Sequence, residues 1–88
     1  MIFITLVRFR AKPTKEYLAE SSKLFGQMAK EGVKILSIHW TLGRYDSVNI
    51  IEAKDEKAVM KAVLRFGDLV STETLVAVTR EEAVKLVE

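Results

Sequence analysis

Three runs of this sequence are apolar on both of their faces. A strand covered on one side only reads apolar toward the core and polar toward water. Ile2 to Arg10 instead sets Ile2, Ile4 and Leu6 on one side, with Phe3, Val7 and Phe9 on the other. Ser47 to Lys54 sets Val48 and Ile50 against Ile51 and Ala53. Leu69 to Val78 sets Val76 and Val78 against Leu75 and Ala77. Whatever sheet these strands build has two faces to hide from water.

The segments between them decide what covers the first face. Lys12-Pro13 breaks the opening strand, and Thr14 is suited to cap a helix running to about Glu31. Leu18, Ser21, Phe25 and Met28 recur at helical spacing, with Leu24 beside them. Gly32 suits the position after that helix, where a left-handed conformation is needed. Val33 to Leu42 alternates Leu36, Ile38, Trp40 and Leu42 with Ser37, His39 and Thr41, a second strand. Asp55 caps a helix over Glu56 to Phe66, whose apolar face is Val59, Ala62, Val63 and Phe66, and Gly67 ends it. Thr79 and Glu82 match a capping box for a short last helix reaching Glu88.

The order is βαββαβ plus a terminal helix, over one domain, residues 1–88. Right-handed crossovers then give an α+β, ferredoxin-like fold: a four-stranded antiparallel sheet with two helices on one face. The second face needs another partner. A second copy of the chain, related by a two-fold axis, is the economical one. Two sheets face to face make a dimeric α/β barrel, so the expected partner is the chain itself, as a homodimer or a higher oligomer.

Composition removes several classes of function. The 14 Lys and Arg against 12 Asp and Glu give a net charge of +2, with no basic block. Nucleic acid is therefore not an expected partner. The absence of cysteine excludes disulfides and thiolate zinc sites. The apolar N-terminal run is too short to span a bilayer and lacks a basic leader, which predicts no membrane partner and a cytoplasmic location. A cysteine-free composition rich in Lys, Glu, Ile and Val suits a thermophile.

The chemistry concentrates in Leu42-Gly43-Arg44-Tyr45-Asp46-Ser47, the turn between the second and third strands. A turn needs only Gly, Asn, Asp or Ser, so Arg44, Tyr45 and Asp46 exceed its needs. They are candidate ligand contacts, together with Trp40. The same residues also have structural readings. Asp46 could brace the turn or pair with Arg44, and Tyr45 could pack over the sheet end. A loop of two residues at 44–45 or four at 43–46 pairs Trp40 with Asn49, His39 with Ile50 and Ser37 with Glu52. A loop of three or five swaps the faces of one strand. His39, the only histidine, and Glu52 are the candidate catalytic acid–base residues. Glu73 is another charge within a strand, and Arg8 a partner for either glutamate. The competing reading makes each a solvated strand residue. No metal-site spacing, phosphate loop or dinucleotide motif occurs, so no metal or cofactor is expected. The third strand has no aromatic to stack a base, which argues against RNA.

The Gly43-Arg44-Tyr45-Asp46 tetrapeptide resembles the GYD domain family, as do Glu52, Gly67 and Ser71-Thr72-Glu73-Thr74-Leu75 at matching distances. The resemblance covers nearly the whole chain. Where that family has Pro-Asp before its second helix, Lys54-Asp55 stands here, keeping the cap and losing the proline. The resemblance implies the dimeric α/β barrel superfamily, whose members include cofactor-independent monooxygenases, haem-degrading enzymes, isomerases and regulatory domains. It brings a fold and not an activity. The expected function is binding of a small, partly apolar molecule near the hairpin. The alternatives are a cofactor-independent enzyme of monooxygenase or isomerase type, with Tyr45 or Arg44 steadying an oxyanion, and a structural or regulatory assembly module.

Overall fold

The computed structural model describes residues 1–87. Its elements are β1 (Ile2–Phe9), α1 (Lys15–Lys30), β2 (Lys34–Trp40), β3 (Ser47–Glu52), α2 (Glu56–Arg65), β4 (Val70–Ala77) and α3 (Arg80–Lys85). The strands lie in the order β2-β3-β1-β4, and every neighbouring pair is antiparallel. The helices start where the side chains dictate. Thr14 accepts the N–H of Tyr17, Asp55 that of Ala58 and Thr79 that of Glu82. In the last of these the threonine's half of the capping box is formed. Gly32 takes φ +84 behind α1, a value that an L side chain reaches only with strain. α3 ends at Lys85, short of the expected reach to Glu88, a position that lies outside the described residues.

The Cα trace measures 49 × 31 × 17 Å, and its shortest dimension leaves room for two layers. The core lies between them. Phe3, Val7, Ile51 and Val70 from the sheet meet Met28, Val59, Ala62 and Phe66 from the helices. Phe25 and Phe66 pack with centroids 5.1 Å apart, joining α1 to the end of α2. Glu31, just past α1, bridges Lys61 and Arg65 on α2. The alternate residues of the strands, Ile4, Leu6, Val48, Ile50 and Leu75 among them, face away from the helices.

The hairpin register differs from both loops expected. Trp40 pairs with Ser47, His39 with Val48 and Ile38 with Asn49. The four-residue loop is 42–45, closed by the Thr41 N–H donating to Asp46 C=O at 2.9 Å. Asp46 is the reason. Its N–H turns to Val7 C=O on β1 at 2.8 Å, and its carboxylate accepts the Phe9 N–H at 2.8 Å. Asp46 is thus held by β1 and is not free to sit at the tip of a tighter turn. The offset between the two registers is even, so the faces are those expected. Leu36 is an extra residue in β2: Ile35 pairs with Ile51 and Ser37 with Ile50. This bulge restores Ile35 to the helix-facing side.

Domains of this size have roughly 4–13 kcal/mol of stability, at about 0.05–0.15 kcal/mol per residue. Asp46→Ala removes a charged acceptor from a partly buried N–H and should cost about 1.5–3 kcal/mol. The expected result in urea is a lower midpoint with an unchanged slope, and a smaller loss in Asp46→Asn, which keeps an acceptor. An Asp46→Ala midpoint equal to wild type would show that the bond contributes nothing.

Candidate functional site

Between the sheet and the two helices lies a cavity of about 200 Å³. Most of its wall is core: Val7, Phe25, Met28, Ile51, Phe66 and Val70. The sheet, however, presents polar groups to this side as well. Thr5 of β1 stands beside Asn49 of β3, and Val7 beside Ser47 and Thr72. A helix-covered face is normally apolar, and each polar group there needs a partner. Ser47 Oγ donates to Asn49 Oδ1 at 2.8 Å, Ser21 Oγ donates to Leu18 C=O at 3.0 Å, and the Thr5 and Thr74 hydroxyls are 3.3 Å apart. Among the described residues no fully buried side-chain N or O atom lacks a partner.

At the hairpin end an aromatic group forms the rim. Trp40 meets Phe9 edge-on at 5.2 Å, and Phe9 meets Tyr17 edge-on at 5.4 Å. Trp40 and Tyr17 both line the cavity. Trp40 is 58% exposed, which is unusual for an indole packed on a core and fits a residue at an opening. Burial pushes the Tyr17 phenol above its ordinary value.

The other candidates lie elsewhere. His39 pairs with Val48, which pairs with Leu6, so its side chain is on the face away from the helices. Glu52 is on the same face, four residues further along β3, or roughly 13 Å at strand rise. Both are exposed. The structure therefore does not bring His39 and Glu52 together, and neither lines the cavity. Arg44, Tyr45 and Asp46 do not line it either. Asp46 braces β1 and makes no ion pair with Arg44. The Arg44 guanidinium lies 5.9 Å from the centroid of the Tyr45 ring.

Tyr45 reaches across the open face of the sheet, where its hydroxyl donates to Glu73 Oε2 at 2.7 Å. The bond to Glu73 raises its phenol pKa, as do some desolvation and the Glu73 charge, against the lowering influence of Arg44 and Arg8. A carboxylate that holds the protonated phenol favours the folded state below the ordinary phenol value, and that contribution fades as pH rises through the raised one. Among the described residues no group of three or more His, Asp or Glu side chains could hold a metal ion, and no helix is long and apolar enough to cross a membrane.

The residues that sequence reasoning passed over are Thr5, Ser47, Asn49 and Thr72. Their signal was available. Thr5 interrupts the Phe3–Val7 face, and Ser47 and Asn49 precede Ile51 and Ala53 at period two, on the face that the helices cover.

The architecture is the ferredoxin-like subunit from which dimeric α/β barrels are built. Two solved structures have the same fold. One is LrpC of B. subtilis, with a TM-score of 0.70 and 14% identity over 90% of this chain. This chain spans about half of that protein, 51%. The other is 5-chloro-2-hydroxyhydroquinone dehydrochlorinase (TftG) from Burkholderia phenoliruptrix AC1100, in complex with 2,5-dihydroxybenzoquinone. Its TM-score is 0.65, with 17% identity over 93% of this chain and 98% of that one. No curated protein matches the sequence significantly. The GYD domain model matches residues 3–87, and the chain belongs to that family.

Both tyrosines should ionise above the ordinary phenol value of 10.0 in an alkaline absorbance titration. Glu73→Ala should lower one midpoint toward that value and leave the other raised. Two unmoved midpoints would mean that the Tyr45–Glu73 bond is absent in solution.

Proposed function

We propose that this protein is a cytoplasmic homodimeric α/β-barrel protein that binds a small, partly apolar molecule in the cavity between its sheet and helices. The observation that carries this reading is the cavity, whose apolar wall holds a few placed polar groups and includes the exposed Leu18, Ile38 and Trp40. Small-molecule sites have that composition. Catalysis is less well supported, because His39 and Glu52 are on the opposite face and, among the described residues, the Tyr17 phenol is the one titratable group lining the space. The 2,5-dihydroxybenzoquinone carried by TftG offers a guide to ligand size. Cavities of about 150 Å³ lined by apolar side chains admit benzene, so about 200 Å³ suits one substituted ring. The earlier placement of the site at Arg44, Tyr45 and Asp46 moves with this reading to the other side of the sheet, and only Trp40 stays in it.

Native mass spectrometry after gentle purification should show the chain carrying an additional small mass. Val63→Trp, which fills the cavity, should lose it. An adduct retained by a folded Val63→Trp would place the ligand elsewhere.

The second subunit is inferred from the sheet. Ile4, Leu6, Val48, Ile50 and Leu75 face away from the helices; the first four are half-buried, Leu75 is exposed, and no helix is packed on them. No residue of α3 is buried, and Val84, Leu86 and Val87 at its end are exposed as well. Sedimentation equilibrium at micromolar concentration should give twice the 10.0 kDa chain mass, and Ile50→Lys should give the single chain mass with its helical circular dichroism intact. A wild-type protein sedimenting as one chain would refute the dimer.

A further inference from the structure

We propose that the cavity selects neutral ligands over their ionised forms, and that the Asn49 amide anchors an acceptor oxygen of a single-ring compound. This rests on the binding reading above and goes further than it.

The first argument is the charge of the wall. Among the described residues no Lys, Arg, His, Asp or Glu lines the cavity. An ionised ligand entering it would give up its hydration and meet no counter-charge. That is the costliest transfer a binding site can ask for, whereas a neutral ring loses only ordinary polar hydration.

The second argument is the direction of the hydrogen bonds. Ser47 and Ser21 spend their donors within the protein, whereas Tyr17, Ser22 and Thr72, which also line the cavity, each carry a single rotating hydroxyl donor. Thr5 is satisfied by Thr74. Asn49 is different. Its Oδ1 accepts from Ser47, which fixes the amide orientation and turns the NH₂ group the other way. That nitrogen has no partner among the described residues and is not sealed off, since every fully buried polar side-chain atom there is paired. Asn49 stands on β3, one strand in from the sheet edge, between Thr5 and Ile38. Two N–H donors are therefore offered to the cavity at a fixed point of its floor. The group they suit is a carbonyl, nitro or phenolic oxygen on the ring.

The third argument is proximity to a reporter. Trp40 is the only tryptophan of the chain, lines the same cavity, and sits on β2 two residues after the Ile38 that pairs with Asn49. A nitroaromatic in the cavity should quench it.

The experiment is a fluorescence titration with 4-nitrophenol, which ionises near neutrality, and with 4-nitroanisole, which has nearly the same shape and cannot ionise. From pH ~5.5 to pH ~8.5 the affinity for 4-nitrophenol should fall about tenfold or more, as burial of an unpaired charge requires. The affinity for 4-nitroanisole should not change. Asn49→Leu should weaken both neutral probes about three- to tenfold, the worth of one hydrogen bond. Asn49→Ala removes the donors without adding bulk or charge and should do the same, which covers the case of a poorly folded Asn49→Leu. Equal affinity for nitrophenol and nitrophenolate would overturn the selection while leaving the cavity reading in place. Unchanged affinity in both Asn49 variants would overturn the anchor. Quenching by neither probe in the wild-type protein would overturn this proposal together with the binding reading.

Discussion

Asp46 holds three strands in place. Its carbonyl closes the β2–β3 loop, its N–H reaches Val7, and its carboxylate takes the Phe9 N–H. The consequences run through the molecule. The register of β2 against β3 follows from the first contact, and the end of β1 is fixed against the loop by the other two. Phe9, so fixed, packs between Trp40 and Tyr17, which form the cavity rim. The carboxylate that reads as surplus chemistry in a turn is a structural part whose effect is felt in the site.

The sheet then has two different faces, each departing from what its surroundings suggest. The face toward the helices should be wholly apolar, yet it carries Thr5, Ser47, Asn49 and Thr72. The face toward water should be polar, yet its centre is aliphatic, with Ile4, Leu6, Val48, Ile50 and Leu75 side by side. Both departures cost stability in an isolated protomer: polar groups taken out of water under the helices on one side, and exposed aliphatic surface on the other. The local hydrogen bonds offset most of the first cost. A second copy of the chain would offset the other, and a ligand would use what is left over at Asn49.

Much of the fold was legible in the residues. Thr14, Asp55 and Thr79 announced the three helices, and period-two alternation assigned the faces of β1, β3 and β4 correctly. The loop length was not legible, because a turn containing Gly43 satisfies several registers until β1 is present to claim Asp46. The bulge at Leu36 was invisible for a related reason, since Ile35 and Leu36 are equally apolar. The site was partly legible. Trp40 lines the cavity, whereas His39 and Glu52 drew attention as titratable groups although their alternation placed them with Val48 and Ile50. Thr5 and Asn49 drew none, because they are uncharged and small. Their message lay in which face they occupy, and that required knowing where the helices sit.

The extra residue at Leu36 separates two demands on β2 that a regular strand would tie together. On one side of the bulge Lys34 and Ile35 answer Glu52 and Ile51. On the other, Ile38 and Trp40 serve the cavity, and Ser37 and His39 serve the open face. Removing that one residue would leave every remaining side chain on its present face, with the strand shorter by one step. The edge strand can thus change length without inverting its pattern.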